Sequence, residues 1–352
     1  MRAWIFGLMA LALPTFAQPA SAHAGTQWCS VTPTDAAVFL PPVTAQLAPL
    51  LDSTPKPMAV THTEGTLPHQ GIRDESIEAR KQLPIMRDAA YAWRAGAGDA
   101  YLTLSMRYFN AWIAVYQPNY NPIDETNFDS LIETYAVIAP RMAPAARAAA
   151  DSFLKTWAQG YIASIDNHRI VSESPQASSW NNNWQSHRIK IVTMIAAALD
   201  DPALFNDARR LFQAQIAGNI LPDGEVRDFA ERDALHYVIY DLEPLTQAAL
   251  AARARGEDWY HYTSPTGSSI ARGFAWLEPY ATGEKPHEEF KNSKVLFDAQ
   301  RAAAGQKEYS GPFEPARAGN VYWLASTFDP GYRPLAQKLK PQPPLFLAMC
   351  GN

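Results

Sequence analysis

The chain has 352 residues, 47% of them hydrophobic, and a formal net charge of -5. That is enough apolar material for one large core or two modest ones. An acidic balance gives no long-range attraction for nucleic acid or an anionic membrane surface, so a polyanionic partner would need a locally basic cleft.

Met1-Arg2 lead into a mostly apolar run, Ala3–Phe16, followed by Pro19 and the small residues Ala20-Ser21-Ala22. A basic start, a short apolar segment and an Ala-x-Ala end predict a secretory signal peptide at 1–22, too short for a stable membrane anchor. Cleavage after Ala17 or Ala24 is the alternative. A lipoprotein would carry a cysteine at the cut, and the first cysteine is Cys29. The expected mature protein, 23–352, is a single domain without a membrane anchor, in the periplasm or secreted, and a monomer. Its two cysteines, Cys29 and Cys350, are most simply a disulfide tying the termini together in an oxidising compartment, with two unpaired thiols as the alternative.

Residues 41–68 are rich in Pro and Thr and predict an extended arm. From Asp74 onward, apolar residues three and four apart predict helices over Ile77–Arg94, broken at Pro84, then Ala100–Tyr116, Thr126–Ala139 and Ala145–Ile165. Further helices are expected at Asn183–Ala198, Pro202–Ala217, Asp228–Arg255, Gly267–Tyr280, Lys294–Ala304 and near Asn320–Thr327. Pro and Gly punctuate the breaks, and convincing alternating strands are absent. Ten or so helices of similar length joined by short loops predict an all-α fold of paired helices in an incomplete ring, an (α/α) toroid. The pairs do not repeat in sequence, which disfavours a regular solenoid.

Two stretches concentrate chemistry: Ser179–Arg188 (Ser-Trp-Asn-Asn-Asn-Trp-Gln-Ser-His-Arg) and Asp223–Tyr240. On a helix opening at Asn183, Asn183 and His187 share one face, with Trp184 and Arg188 beside it. In the second stretch, taken as one helix, Arg232 and His236 share a face and Asp233, Tyr237 and Tyr240 the next. The plain alternatives are that Asn and Asp cap helices, that a lone histidine is structural, and that helical tyrosines are core.

Both stretches resemble the alginate-lyase type of polysaccharide lyase, an all-helical family that cleaves uronic-acid polymers by β-elimination. Asn182-Asn183-Trp184 is similar to the place where these lyases have an asparagine for the C6 carboxylate. Ala234–Tyr240 is similar to the helix with their catalytic tyrosine, which falls on Tyr237. Trp276–Pro286 is similar to the turn after a late helix of the family. The chain departs from that pattern where Trp184 replaces a histidine and where the arginine falls at another offset, with Arg232 the nearest substitute and Arg227 behind it.

The resemblance implies an acidic polysaccharide or oligosaccharide substrate, β-1,4-linked glucuronan or mannuronate-rich alginate, and no cofactor. It assigns Asn183, His187 and Arg232 to neutralising the carboxylate, a task like that of an oxyanion hole. Tyr237 moves the proton. Arg188, Trp184, Asn182, Trp180, His236 and Tyr240 are further substrate contacts, Trp180 stacking on a neighbouring sugar. Glu173, Glu225 and Glu231 keep a glycoside hydrolase open as an alternative, as is a non-catalytic binder of acidic glycans. His287-Glu288-Glu289-Phe290 lacks the second histidine of a zinc-protease motif.

Overall fold

The structure, a computed structural model, describes residues 33–171 and 179–350. Its α-helices in chain order are α1 Pro33–Leu47, α2 Arg73–Arg80, α3 Gln82–Ala92, α4 Asp99–Val115, α5 Asp129–Ile138, α6 Pro144–Val171, α7 Asn183–Leu199, α8 Pro202–Asn219 and α9 Arg227–Arg232. They continue with α10 Leu235–Arg253, α11 Ile270–Thr282, α12 Leu296–Ala303, α13 Gly319–Ala325, α14 Arg333–Leu339 and α15 Leu345–Cys350. The described strands, β1 Glu288–Glu289 and β2 Gly311–Pro312, form one short antiparallel pair. No described helix is long and apolar enough to cross a membrane.

Five helices, α3, α5, α7, α10 and α13, neighbour one another in turn, and α4, α6, α8, α11 and α14 pack outside them. All five inner helices line one axial cavity of about 560 Å3, through Arg87, Glu133, Lys190, Glu243 and Asn320 among others. This is the expected (α/α) toroid. Burial explains the inner places. From Gln185 to Ala197 every residue of α7 is buried, so the helix has no solvent face and must be an inner wall. The outer helix α8 starts on Pro202 at its first position, with the Asp201 side chain accepting from the N–H groups of Ala203 and Leu204.

Much of the aromatic content is core, with Trp112, Trp157, Tyr91, Tyr135 and Tyr161 fully buried. The loop before α5 is anchored by buried Glu125, which accepts from Tyr116 Oη (2.6 Å), Trp157 Nε1 (2.7 Å) and Tyr161 Oη (2.5 Å).

Two expectations are corrected. The arm expected over 41–68 begins inside α1, which carries Pro41 and Pro42 internally. Ala36, Leu40, Val43 and Leu47 recur at helical spacing, and burial of that stripe outweighs the lost backbone bonds. The single helix expected over Asp228–Arg255 is broken at Asp233, whose φ of 48° ends α9 in the left-handed region. The break is held from outside. The Asp233 carbonyl accepts from Phe290 N–H (2.8 Å), and its carboxylate accepts from the backbone and side chain of Asn292 (2.9 and 2.7 Å). Arg232 and His236 therefore lie on different helices. The Cys29–Cys350 pairing cannot be placed, because Cys29 lies outside the described residues, as does the leader.

Candidate active site

A second cavity, of about 450 Å3, opens at the N-terminal ends of α7 and α10. Asn183 and Trp184 enter it from α7, Arg232 from α9, and His236, Tyr237 and Tyr240 from α10. Val295, Phe297, Arg301 and Tyr309 close it from the later strap, and Glu64, Gly65 and Ile123 from the early loops. Six residues expected at a site thus converge on this mouth. Tyr240 also lines the axial cavity, so the two spaces share a wall.

The charges at the mouth are unequal in availability. Arg232 is committed: its Nε donates to Asp298 Oδ2 at 3.0 Å, its Nη2 to Asp298 Oδ1, and its guanidinium stacks 3.8 Å over the Tyr237 ring. Asp298 is buried and also accepts from Ser293 Oγ at 2.6 Å. Arg301 has no carboxylate partner among the described residues. Its Nη1 donates to Tyr237 Oη at 3.1 Å, and it lies over Phe297 and Tyr309, 4.4 and 4.8 Å from their ring centres.

The other groups follow from burial. Burial and the nearby Arg317, Arg232 and Arg301 push the His236 imidazole down to about 4, so it is neutral at pH 7. Burial holds the Tyr237 phenol above its ordinary range, while Arg232 and Arg301 pull against it. Tyr240 is pushed up to about 12 by burial, and its hydroxyl pairs with Thr126 Oγ1 at 2.8 Å.

Asn183 is fully buried in the cavity wall. Its backbone N–H donates to Asp228 Oδ2 at 2.8 Å and its Nδ2 to Asp228 Oδ1, while its Oδ1 has no partner. Glu289 holds the N-terminus of α10, accepting from His236 N–H at 3.0 Å. Each of these helix starts, where the dipole favours an anion, thus carries a resident carboxyl group.

Four expected residues lie elsewhere. His187 lines the axial cavity, 4.3 Å from the Tyr240 ring. Burial and then Lys190 hold it well below the ordinary imidazole range, so it carries no charge. Being one helical turn beyond Asn183 takes it inward along the ring axis. Arg188 donates to Ser179 O (2.7 Å) and Gln185 Oε1 (3.2 Å) and lies 3.8 Å over Trp180. Trp180 also stacks on His168 at 4.1 Å, so its ring is already occupied. Asn182 caps α7, its Oδ1 accepting from Trp184 N–H at 3.1 Å. Glu225 and Glu231 line neither of the two cavities, and Glu173 lies outside the described residues.

Arg301, Tyr309 and Asp228 were not singled out from sequence. Arg301 and Tyr309 come from a segment more than sixty residues after Tyr237, and only the folding back of that strap brings them to the mouth. Asp228 stands inside a stretch already marked as polar, and its pairing with Asn183 needed the break at Asp233 to become visible.

The sequence model of the alginate lyase family matches residues 26–287. A polysaccharide lyase of Stenotrophomonas maltophilia is 31% identical over 146 residues, 41% of this chain and 41% of that relative, so the match spans less than half of the relative's length. Among solved structures, an alginate lyase from Bacteroides ovatus is similar with a TM-score of 0.60 at 16% identity, over 91% of this chain and 94% of its own. The apo form of a histidine-to-alanine variant of alginate lyase A1-III gives 0.53 at 17% identity, over 81% and 90% of the two chains. The same variant complexed with a tetrasaccharide gives 0.53 at 17% identity over 75% and 80%. At these identities the structures bear on the fold alone, and they agree with the ring of helix pairs.

Proposed function

The chain belongs to the alginate lyase family, and on that premise we propose that it is a polysaccharide lyase that cleaves a β-1,4-linked uronate polymer, glucuronan or mannuronate-rich alginate, by β-elimination at the mouth of the ring. The observation that carries this reading is Arg301: a cation without a carboxylate partner, bonded to a phenol, in a cavity with a neutral imidazole. The tetrasaccharide complexed with alginate lyase A1-III supports an oligosaccharide as the class of substrate.

The chemistry follows from what the substrate needs. The C5 proton is hardly acidic while the adjacent C6 carboxylate is ionised, because the carbanion adds a second negative charge. Arg301 and Asn183 neutralise the carboxylate, so that charge moving onto its oxygens is stabilised. In mannuronate and glucuronate the C5 proton and the C4 oxygen leave from the same side of the ring. One phenol can then accept the proton as phenolate and return it to the departing O4. Tyr237 takes that role, with Arg232 and Arg301 favouring its phenolate. His236 stands beside it as a neutral acceptor, its ring 5.0 Å away.

A second assignment gives the proton to Tyr309. Tyr237 is 5% exposed, whereas Tyr309, in the same aromatic cluster, is only half-buried, with Arg301 over its ring. Replacing each by Phe decides between them, since the proton carrier loses turnover while substrate binding survives. The class of reaction is tested by the ultraviolet absorbance of the purified protein incubated separately with glucuronan, polymannuronate and polyguluronate. A 4,5-unsaturated product establishes elimination and names the polymer. Reducing ends without that absorbance would point to hydrolysis, and binding without either to a glycan-binding protein.

We also infer export through the leader at 1–22 and a Cys29–Cys350 disulfide in the mature chain. The intact mass of the exported protein, measured before and after reduction and thiol capping, tests both.

A further inference from the structure

Asn183 is held the wrong way round for its proposed partner. A substrate carboxylate needs N–H donors, yet the Asn183 amide commits one of the two N–H bonds of its Nδ2 to Asp228, and the amide atom left wholly without a partner among the described residues is its acceptor, Oδ1. An ionised Asp228 would also stand as a buried like charge behind the carboxylate to be bound. One change removes both conflicts. A proton on Asp228 Oδ1 lets that oxygen donate to Asn183 Oδ1 after the amide turns by half a revolution about Cβ–Cγ. The turn frees both N–H bonds of Nδ2, while the backbone N–H of Asn183 keeps its bond to Asp228 Oδ2 at 2.8 Å.

We propose that Asn183 and Asp228 form a proton-linked clamp, in which binding of a uronate carboxylate is coupled to uptake of one solvent proton by Asp228 and to rotation of the Asn183 amide toward the substrate. Product departure returns the proton to solvent. Asp228 acts through Asn183 and is a positioning residue. The clamp rests on the lyase reading above and deepens it.

The surroundings suit a group that exchanges a proton. Asp228 is fully buried. Arg232 and Glu231 face it from its own helix, with opposite effects, and Asn183 faces it from α7. Asp241 faces it from α10, bonded to Ser186 Oγ (2.6 Å) and Asn219 Nδ2 (2.6 Å). Burial holds the Asp228 carboxyl up to about 7 against the two bonds from Asn183 and the pull of Arg232. A bound carboxylate raises it further. Below that pH the proton is already present and binding is independent of pH. Above it each binding event must take a proton from solvent, so the dissociation constant rises by up to about tenfold per pH unit.

The test compares wild type with Asp228→Asn. The new amide can donate to Asn183 Oδ1 and accept from the Asn183 N–H, which fixes the clamp in its substrate-facing position. Wild-type KM for the responding polymer is expected to climb about tenfold between pH 7.5 and 8.5, and that of Asp228→Asn to stay flat with activity retained. An equal climb in both overturns the clamp, and so does loss of all activity in a folded Asp228→Asn protein. If that variant does not fold, calorimetry on wild type decides. The unsaturated limit product that the wild type itself releases is titrated at pH 8 in two buffers of different ionisation enthalpy. Uptake approaching one proton per bound chain supports the clamp, and no uptake overturns it. An enzyme that cleaves without proton uptake leaves the lyase reading standing and removes the clamp. A protein that cleaves none of the polymers removes both.

Discussion

Two arginines a few ångströms from the same phenol should fail in opposite ways. Arg232 is the inner partner of a two-bond pair with Asp298, whose carboxylate is 1% exposed. Replacing Arg232 by Met leaves that carboxylate buried with only Ser293 as a donor, a loss of about 3–5 kcal/mol. In a chain of this size that corresponds to a fall in Tm of roughly 5 °C or more. Arg301 has no such partner. Arg301→Gln forfeits two ring contacts worth about 0.5–1 kcal/mol each and one hydrogen bond to Tyr237 worth about 1 kcal/mol, so Tm should fall by roughly 2–4 °C, less than for Arg232→Met. On the proposed reading it removes the cation that meets the developing charge, and kcat/KM should fall by about 10²–10³, or roughly 3–4 kcal/mol of barrier. Melting curves and initial rates of product absorbance, recorded on both variants, read the two axes separately. Arg301→Gln within threefold of wild type, or a low-melting Arg301→Gln beside an unaltered Arg232→Met, would refute the assignment.

Three further outcomes follow from the same structure. Gly224, at φ +99° in the turn before α9, has the Arg272 carbonyl against the position of a Cβ, so Gly224→Ala should lower Tm by several degrees and weaken substrate binding by displacing Asp228 and Arg232; an unshifted melting curve would contradict this. Asp228 and Glu133 are both pushed up by burial, so the folded chain keeps protons that the unfolded chain releases above about pH 4. Stability from these groups is present at low pH and is lost as pH rises toward 7, by about 1.4 kcal/mol per pH unit for each proton. The buried neutral His187 and His236 act in the opposite sense below the ordinary imidazole range, so the test is the interval above it, and a Tm that stays level or rises between about pH 6.5 and 7.5 would count against it. His187→Leu removes a buried neutral imidazole from the wall of the axial cavity and should leave kcat within about threefold, whereas a hundredfold loss of kcat would return His187 to the reaction.

The ring was legible because its evidence is local. Apolar residues at helical spacing and Pro or Gly at the breaks recur along the chain, and they set most helix bounds to within a few residues. The errors came where a distant contact decided a local question. Pro41-Pro42 reads as a stop, and only the wall that receives Leu40, Val43 and Leu47 makes α1 continue through it. Asp233 reads as one more polar residue in a helical run, and it is the 287–293 strap, bonding its carbonyl and carboxylate, that turns it left-handed. The same limit governed the site. Asn183, Arg232, His236 and Tyr237 lie within two short stretches of sequence and could be grouped in advance. Arg301 and Tyr309 belong with them only through tertiary folding. His187 was placed by helical spacing alone, which gives the face of a helix but not how deep along the ring axis the residue sits.

On the proposed reading, that depth explains how an acidic protein presents a site for an acidic polymer. Early residues of α7 and α10 line the mouth, while His187, Lys190, Glu243 and Gln247, further along the same helices, line the axial cavity. The two helices therefore run side by side away from the mouth, and their positive dipole ends meet there. Resident carboxyl groups take up most of that field: Asp228 at α7, Glu289 at α10 and Asp298 on Arg232. Among the described residues of the mouth Arg301 is left without a carboxylate partner, and on the proposed reading it meets one uronate carboxylate. A continuous basic track would hold the polymer at every ring and gain nothing in the transition state. On the proposed reading, one available cation among the described residues beside the phenols concentrates attraction on the one sugar whose C5 proton is removed.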